Sequence, residues 1–412
     1  MYTRNCTQNI LLGLEEAPII FLNGARQVGK STLAKEIIVK GFLQEYITLD
    51  DITNLSAAAT SPQSFLEGLS DRIVIDEVQR VPELFLALKL LIDKARTPGK
   101  YLLTGSANVL LFPKIADSLA GRLEIHTLWP LSQGEIVGNK ENFIDRCFAE
   151  KDKMNTTTLP ITWQQLVEKM VIGGYPEVLT RKDDARRFAW FNSYLLSILQ
   201  RDIQDLANIE RIKELPNLIA LLASRAGGLL NFADISRASG IAATSLKRYL
   251  ALLEKIFLFV AIPAWFRNLE KRLVKAPKIY LNDSGLLCHM QGINSIKLLK
   301  NHNFAGHVLE NFVAMELVKQ QGWNETKCRL YHFRSQAGQE VDFLLEAYDG
   351  RVVGIEVKSS NEVSTKSFAG LMYLSELLGD NFVKGIVLYT GERVVKFAKN
   401  LFAIPIANLW QK

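Results

Sequence analysis

Residues 19–33 read IIFLNGARQVGKSTL, and the interpretation of the whole sequence starts from this stretch. The apolar run at residues 19–22 is typical of a buried strand, and residues 32–39 have the apolar spacing of a helix. Between them, residues 24–31 fit the pattern G-x-x-x-x-G-K-[ST] at every fixed position. A strand, a glycine-rich loop and a helix in this order predict a phosphate-binding loop; the alternative is an ordinary turn before a helix.

Each residue type in this loop has a physical reason. Gly24 and Gly29 allow backbone angles that turn successive N–H groups toward an anion, and the following helix adds its positive end. Lys30 supplies a mobile charge for the β- and γ-phosphates, and the Ser31 hydroxyl is suited to ligate Mg²⁺. We therefore expect ATP and Mg²⁺ as cofactors. The expected nucleotide-binding residues are Gly24, Ala25, Arg26, Gln27, Val28, Gly29, Lys30, Ser31 and Thr32.

A second apolar run, at residues 72–75, is followed by two carboxylates, Asp76 and Glu77. The carboxyl ends of parallel strands line the ligand crevice of an open sheet, so both acids should face the phosphates. Asp76 is the candidate for the Mg²⁺ site, and Glu77 is the candidate for the base that activates the attacking water. The alternative, an acidic loop after a strand, is disfavoured by the phosphate-binding loop upstream.

Two later stretches supply further candidates for this site. Residues 101–106 form an apolar run that ends in hydroxyls, which makes Thr104 and Ser106 candidates for sensing the γ-phosphate. Arg122 is a candidate for neutralising charge on the γ-phosphate, either in cis or across a subunit interface, and the alternative is a surface arginine. Residues 123–128 predict the last strand of this part of the chain.

The composition is that of a soluble globular protein. With 412 residues, of which 48% are hydrophobic and 22% charged, the chain is long enough for two to three domains. No apolar run approaches the length of a membrane span, and the first residues do not resemble a secretory signal. The four cysteines lack C-x-x-C spacing, which disfavours both zinc and a disulfide framework. A cytoplasmic location is expected.

The net charge of +6 is concentrated in residues 225–278, which hold ten basic and three acidic residues. Within this segment, residues 232–236 and 243–253 have helical spacing and are separated by a turn at Gly240, the pattern of a helix-turn-helix. Lys247 and Arg248 lie on the second helix, and residues 256–264 are suited to form a wing. The clustered charge favours DNA binding, and a solvated basic face is the alternative.

The last third of the chain predicts a helix followed by strands. Residues 304–320 have helical spacing and include Glu310, and residues 329–333, 341–345 and 352–357 read as strands. Asp342 lies on the second strand. Glu356 on the third strand and Lys358 at its end point to the same face, because side chains alternate along a strand. An ordinary half-exposed sheet can carry the same alternation.

Five stretches, GARQVGKST, IVIDEVQRVPELF, LLTGSAN, LAGR and LWPLSQGE, resemble a widespread group of prokaryotic AAA-type ATPases. These proteins carry a winged helix and a C-terminal domain related to PD-(D/E)xK nucleases, and the resemblance extends over most of the chain. It implies that Asp342 and Glu356 bind Mg²⁺ and that Glu310 completes the site. It also implies that Lys358 positions the hydrolytic water or stabilises the charge that develops on phosphorus.

The expected fold is α/β. Residues 1–150 would form a parallel-sheet P-loop ATPase domain, residues 160–275 a helical and winged-helix domain, and residues 276–412 an α/β nuclease-like domain, with a linker at 151–160. The expected function is ATP hydrolysis coupled to DNA binding or cleavage, with DNA as partner and no membrane. The alternatives are a nucleotide-dependent switch that binds a protein partner and a DNA-binding ATPase, each with an inert C-terminal domain. A homo-oligomer stays open.

Overall fold

The computed structural model describes residues 2–106, 119, 121–149, 160–202, 214–268, 272, 275–300 and 302–411. The chain divides into two compact units, one made of Met1–Leu131 with Ala251–Leu258 and the other of Ser132–Leu250 with Phe259–Lys412. The first unit therefore ends before the predicted boundary at residue 150. The predicted helical and C-terminal domains share the second unit. Most of the predicted linker, residues 151–159, lies outside the described part of the chain.

The first unit is built on a parallel five-stranded sheet in the order β2-β3-β4-β1-β5. Its strands are β1 (Ile19–Asn23), β2 (Glu45–Thr48), β3 (Ile73–Asp76), β4 (Tyr101–Gly105) and β5 (Leu123–Thr127). Its helices are α1 (Thr7–Glu16), α2 (Lys30–Val39), α3 (Ile52–Thr60), α4 (Pro62–Glu67) and α5 (Glu83–Lys94). Since all strands are parallel, the loops after β1, β3 and β4 begin at the same edge of the sheet.

The central strands of this sheet are buried on both faces. Every residue of β1, β3 and β4 is buried, which explains why these segments are apolar runs rather than alternating ones. Phe21 on β1 meets Phe85 on α5 edge to face, with ring centroids 6.3 Å apart. Burial of such a side chain contributes about 1.5–3 kcal/mol. This core holds the edge of the sheet that carries the phosphate-binding loop.

The first unit is discontinuous in sequence, because residues 251–258 belong to it. Phe257 in this returning segment meets Trp129 edge to face, with ring centroids 5.6 Å apart. Phe257 is 4% exposed and adopts a positive φ of 59°, an uncommon conformation for a bulky side chain. The segment that follows the predicted recognition helix is thus part of the core of the first unit.

The second unit begins with helices. They are α6 (Gln133–Val137), α7 (Phe143–Phe148), α8 (Trp163–Ile172), α9 (Pro176–Leu179), α10 (Asp184–Ser197), α11 (Leu215–Ala223), α12 (Phe232–Ser239) and α13 (Ala243–Lys255), whose last residues belong to the returning segment. A π-helical turn, Ile198–Asp202, extends α10, and the rest of the helix predicted to residue 206 lies outside the described residues. Asn231 caps α12, and Gly240 ends it with φ 71°. The two predicted helices and their glycine turn are therefore present.

The C-terminal part of the second unit contains a six-stranded mixed sheet in the order β12-β13-β11-β10-β9-β8. Its strands are β8 (Cys328–Arg334), β9 (Glu340–Ala347), β10 (Val352–Lys358), β11 (Phe382–Tyr389), β12 (Val395–Ala398) and β13 (Leu401–Pro405). A separate antiparallel pair is formed by β6 (Phe259–Ile262) and β7 (Lys278–Leu281). The remaining helices are α14 (Ser284–Met290), α15 (Ser295–Lys300), α16 (His302–Gln320) and α17 (Ala369–Leu378). No helix in the described ranges is long and apolar enough to cross a membrane.

The Gly-Gly-Tyr-Pro-Glu stretch at residues 173–177 has a structural role. The Gly174 N–H donates a hydrogen bond of 2.7 Å to Asp283, and a Cβ atom at Gly173 would collide with the same carboxylate. The Tyr175 hydroxyl lies 2.7 Å from the Tyr194 hydroxyl and accepts a hydrogen bond of 2.9 Å from Asn282. These contacts join the turn before α9 to the start of α14.

Candidate functional site

The phosphate-binding loop joins β1 to α2 and depends on two glycines. Gly24 has φ 146°, and a Cβ atom there would collide with the carbonyl group of Leu128. Gly29 has φ 98° and is the residue from which α2 starts. Gln27 also has a positive φ, 60°. The loop is therefore a tight turn whose backbone geometry requires glycine at the two positions that the motif specifies.

Lys30 is the first residue of α2, and its side chain turns back into the loop. Its ammonium donates hydrogen bonds of 2.9 Å to the carbonyl of Gly24 and 2.8 Å to the carbonyl of Ala25. Lys30 is only 5% exposed. The positive charge thus lies inside the concave side of the loop, next to the N-terminus of α2.

Three hydroxyl groups surround the Asp76 carboxylate at the end of β3. Ser31 Oγ lies 3.1 and 3.2 Å from its two oxygens, and the Tyr46 hydroxyl donates a 2.6 Å hydrogen bond to Oδ2. The Thr104 hydroxyl donates to Oδ1. Burial and the neighbouring Asp76 raise the pKa of Tyr46 above its usual value, so its hydroxyl keeps its proton. Asp76 is therefore held by donors from four different elements.

Glu77 follows directly in a left-handed backbone conformation with φ 59°. Its N–H donates to Thr104 Oγ1 over 3.3 Å, and its carboxylate accepts hydrogen bonds from the Gln79 amide and, over 3.4 Å, from the Ser106 hydroxyl. Gln79 Nε2 also donates to Ser106 Oγ over 3.0 Å. A positive φ at a residue other than glycine costs about 1–2 kcal/mol, and such strain concentrates at functional sites.

The oxygen atoms beside the loop fit Mg²⁺. The Ser31 hydroxyl and the Asp76 carboxylate lie together at the start of α2, and oxygen atoms of this kind are the ligands that Mg²⁺ prefers. Ser31 and Asp76 would therefore hold the ion.

A second polar cluster lies in the C-terminal part of the second unit. The Lys278 ammonium on β7 is 2.9 Å from Glu310 on α16, and 3.2 and 3.4 Å from Glu340 and Asp342 on β9. The Tyr280 hydroxyl donates a 2.7 Å hydrogen bond to Glu310. The cluster therefore combines acids from α16 and β9 with a lysine and a tyrosine from β7.

The remaining members of the cluster lie on β10. Lys358 donates a 2.7 Å hydrogen bond to Glu356, and the Val357 N–H donates to Asp342 over 2.9 Å. Burial and the nearby Asp342 charge raise the pKa values of Glu310 and Glu356 to about 7. Burial lowers the pKa of Lys278, but the surrounding carboxylates outweigh it, so this pKa lies above its usual value and the lysine is charged.

Comparison with known proteins identifies the first part of the chain. The AAA domain family matches residues 16–137. This segment is an AAA-type ATPase domain. Two domains of unknown function match the rest of the chain, one (DUF8612) at residues 164–297 and the other (DUF4143) at residues 305–409.

Similar whole proteins carry no functional name. An uncharacterized protein of Mycobacterium tuberculosis is 29% identical over 403 residues, which is 98% of this chain and 83% of that protein. An uncharacterized protein of Haemophilus influenzae is 25% identical over 397 residues, covering 90% of this chain and 88% of that protein. The similarity thus spans the AAA domain together with the regions that follow it.

Similar solved structures are ATPases. A Walker-type ATPase of Pyrococcus abyssi is 17% identical with a TM-score of 0.44, covering 71% of this chain and 96% of that chain. RuvB of Thermotoga maritima is 18% identical with a TM-score of 0.28, covering 64% of this chain and 90% of that chain.

The AAA domain gathers most of the residues predicted to act there. Ser31, Asp76, Glu77, Thr104 and Ser106 are linked by hydrogen bonds at the carboxyl edge of the sheet. Their individual roles stay predictions. Sequence reasoning missed Tyr46 and Gln79, which reach Asp76 and Glu77 only because β2 and β4 flank β3.

Arg4 of the AAA domain was also missed. Its guanidinium donates hydrogen bonds of 2.8 Å to the carbonyl of Val28 and 2.7 Å to the carbonyl of Trp129, and the residue is 8% exposed. It therefore ties the phosphate-binding loop to the chain after β5. No local pattern at residues 2–6 signals this role.

Arg122 requires a correction for its predicted role in cis. It precedes β5, and Leu123 at the start of β5 pairs with Ile19 at the start of β1, so Arg122 lies at the amino edge of the sheet. The phosphate-binding loop leaves the opposite edge, a strand length of roughly 13–16 Å away. Arg122 forms a 2.6 Å ion pair with Asp93 on α5. A role across a subunit interface stays a prediction.

The predicted C-terminal metal site also requires a correction. Glu310, Asp342 and Glu356 do lie in one cluster, but the Lys278 ammonium is inserted among the carboxylates. Among the described residues, no group of three or more His, Cys, Asp or Glu side chains is arranged to hold a metal ion. The residues therefore do not fit the Mg²⁺ that the nuclease resemblance implies. Lys358 lies beside Glu356, as predicted for neighbours on one strand face.

The basic segment is less exposed than its composition indicates. Arg272 forms ion contacts of 2.5 and 2.9 Å with Glu346 and lies against the rings of Trp265 and Tyr331. Lys278 is buried in the carboxylate cluster, and residue 271 lies outside the described part. The exposed basic residues are Arg237, Lys247, Arg248, Arg267 and Lys275. They remain available as a surface charge on α12, α13 and the segment between β6 and β7.

Proposed function

We propose that this chain is an ATPase in which Glu77 activates the attacking water and the helix-turn-helix of α12 and α13 binds DNA. The observation that carries the first part is the linked set of Ser31, Asp76 and Glu77 at the carboxyl edge of the parallel sheet, next to the Lys30 ammonium. The AAA domain match supports nucleotide binding and hydrolysis.

The residues divide the chemistry between them. Lys30 would exchange its two loop carbonyls for phosphate oxygens, because the same ammonium and N–H groups then stabilise a triphosphate. The bound Mg²⁺ would neutralise phosphate charge. Glu77 would accept the proton of the attacking water, and Gln79 with Ser106 would hold its carboxylate in place. Thr104, which contacts both Asp76 and the Glu77 backbone, would keep the two acids in register.

Two variants test the ATPase. Lys30→Ala should abolish ATP binding, measured by equilibrium titration with a fluorescent ATP analogue. Glu77→Gln should bind ATP with near wild-type affinity and lower turnover by about 10²–10⁴-fold, the usual contribution of a general base. Glu83→Gln, an exposed acid at the start of α5, is the matched control and should turn over normally. Wild-type turnover in Glu77→Gln would reject Glu77 as the base.

DNA binding is supported by the exposed basic residues of the helix-turn-helix. Lys247 lies over the Phe232 ring at 5.6 Å, so it is held on the surface formed by α12 and α13, beside Arg248. Contacts of this kind with phosphates give binding that falls steeply with salt. Replacing both Lys247 and Arg248 with Ala should weaken binding to duplex DNA at least tenfold and flatten its salt dependence, measured by fluorescence anisotropy.

The matched control for this test removes two exposed basic residues outside the helix-turn-helix. Lys182 and Arg186 are exposed near the start of α10, so their double Ala variant has the same net charge as the test variant. Equal loss of affinity in both double variants would mean that only net charge matters. A salt-independent affinity of the wild type would reject DNA binding through phosphates.

A second candidate function follows from the C-terminal cluster. Lys278 among the carboxylates favours an inert C-terminal domain, in which case nucleotide state would control the binding of a partner without DNA cleavage. The test incubates the intact chain with plasmid DNA and Mg²⁺ or Mn²⁺, with and without ATP. Cleavage that disappears in Asp342→Asn would reject this candidate, and equal background in both proteins would support it.

A further inference from the structure

The C-terminal cluster brings together more negative than positive charge. Glu310, Glu340 and Asp342 surround the Lys278 ammonium at 2.9–3.4 Å, and the side chain of Lys278 is only 4% exposed. Glu356 has its own cation, because Lys358 contacts it at 2.7 Å. The Lys278 ammonium is therefore the one charge of the described residues that lies within ion-pair distance of these three carboxylates together.

Lys278 is held in this position by the backbone of β7. It pairs with Ile262 on β6 and forms an isolated bridge with Leu229, so hydrogen-bonded neighbours lie on both sides. Tyr280 is two residues further along β7 and therefore points to the same face, where its hydroxyl donates to Glu310. Lysine and tyrosine thus reach the acids as one preformed set of donors.

An ammonium and a divalent ion cannot both occupy the space between these carboxylates. Two cations a few ångströms apart in a buried environment repel each other strongly, and displaced Lys278 would lose the three acids that compensate for its burial. The acids in turn need a cation, because several buried carboxylates close together destabilise the fold. One internal positive charge satisfies both requirements.

We propose that Lys278 is the resident cation of the C-terminal cluster and takes the place of the divalent metal that the nuclease resemblance implies. The native chain then binds no divalent metal at Glu310, Glu340 and Asp342. Replacement of Lys278 by an uncharged side chain converts the cluster into a metal site. This inference concerns the second unit alone and does not depend on ATP hydrolysis by the AAA domain.

The test titrates Mn²⁺ into the nucleotide-free full-length chain and counts bound ions by electron paramagnetic resonance. Lys278→Met keeps a long unbranched side chain and should gain about one Mn²⁺ per chain over the wild type. The gain should disappear when Asp342→Asn is added. All proteins carry Asp76→Asn, so that binding beside the phosphate-binding loop does not contribute.

Thermal unfolding supplies a second readout. Lys278→Met leaves its acids without a counter-ion, so it should unfold at a lower temperature than the wild type, and Mn²⁺ should restore stability to the variant but not raise that of the wild type. Lys300→Met, at an exposed lysine on α15, is the matched control and should show neither effect.

Two results would overturn the proposal. Asp342-dependent Mn²⁺ binding by the wild type would show that a metal displaces Lys278, and this measurement needs no change at residue 278. A folded Lys278→Met that gains no Mn²⁺ would show that the cluster is not a cation site. If Lys278→Met does not fold, Lys278→Met combined with Glu340→Gln has one less uncompensated charge, and the same gain is expected from it.

Discussion

The hydroxyl of Tyr46 lies 2.6 Å from Oδ2 of Asp76, so a residue on β2 holds the carboxylate that ends β3. We expect Tyr46→Phe to leave ATP affinity nearly unchanged and to lower kcat/KM for MgATP about three- to tenfold, because a hydrogen bond to a charged group contributes about 1.5–3 kcal/mol, less when half-buried. Steady-state ATPase assays at several Mg²⁺ concentrations measure this. Tyr348→Phe, at a highly exposed position, should behave as the wild type.

Gln79 connects the Glu77 carboxylate to Ser106. Gln79→Ala should lower kcat about tenfold while the affinity for ATP stays within twofold, because the base loses its orientation and the loop is untouched. Gln63→Ala, an exposed glutamine on α4, should leave both parameters unchanged. Equal changes in kcat and in nucleotide affinity would point to a structural role for Gln79 instead of a positioning role.

Arg122 pairs with Asp93 at the amino edge of the sheet. Arg122→Ala should retain at least half of the wild-type turnover at protein concentrations where the chain is monomeric, and it should lower stability by less than about 1 kcal/mol, as for other exposed ion pairs. Asp93→Asn, which removes the same pair, should match it. A loss of turnover that appears only at high protein concentration, in Arg122→Ala but not in Asp93→Asn, would support a role across a subunit interface.

Glu141 makes a pH-dependent contribution to stability. It is 3% exposed, it accepts a 2.7 Å hydrogen bond from the Gly134 N–H, and burial followed by the charge of Glu316 raises its pKa to about 7. Since an unfolded Glu titrates near 4.3, the folded chain binds the extra proton between these values, and stability falls as the pH rises from about 4.3 to 7. Glu135 also faces Glu141, and Lys319 pairs with Glu316.

Glu141→Gln removes this dependence. The wild type should lose up to about 3 kcal/mol between pH 5 and pH 8 through this group, and the variant should lack that part of the fall. Urea unfolding at pH 5, 6.5 and 8 measures it, and Glu362→Gln, at an exposed position, should keep the wild-type slope. A Glu141→Gln variant that still shows the full wild-type slope would assign the proton to another group.

The phosphate-binding loop and its acids were predictable because their signals are local. The glycine spacing and the apolar runs before Asp76 and Ser106 follow from backbone angles and burial of a parallel sheet. Tyr46 and Gln79 were not predictable, since their contacts depend on the order of the strands in the sheet. The in-cis role of Arg122 failed for the same reason, because closeness along the chain does not tell which edge of the sheet a residue occupies.

Charge counting misled the analysis of the basic segment. It treats every lysine and arginine as a surface charge, but Arg272 and Lys278 are compensated internally by Glu346 and by the C-terminal acids. The acids of that cluster were found from their alternation on strands, whereas the lysine between them comes from β7, thirty-two residues before Glu310 in sequence. Only the pairing of β7 with β6 and its contact with α16 bring them together.

The return of residues 251–258 to the first unit, with Phe257 against Trp129, has a consequence for biosynthesis. The ribosome must release more than a hundred further residues, including both helices of the helix-turn-helix, before the first unit can close. A nascent chain halted after Leu131 would leave the indole of Trp129 without this cover. The nucleotide-binding half therefore matures only after the proposed DNA-binding half has emerged, and the two cannot be separated by a single cut in the gene.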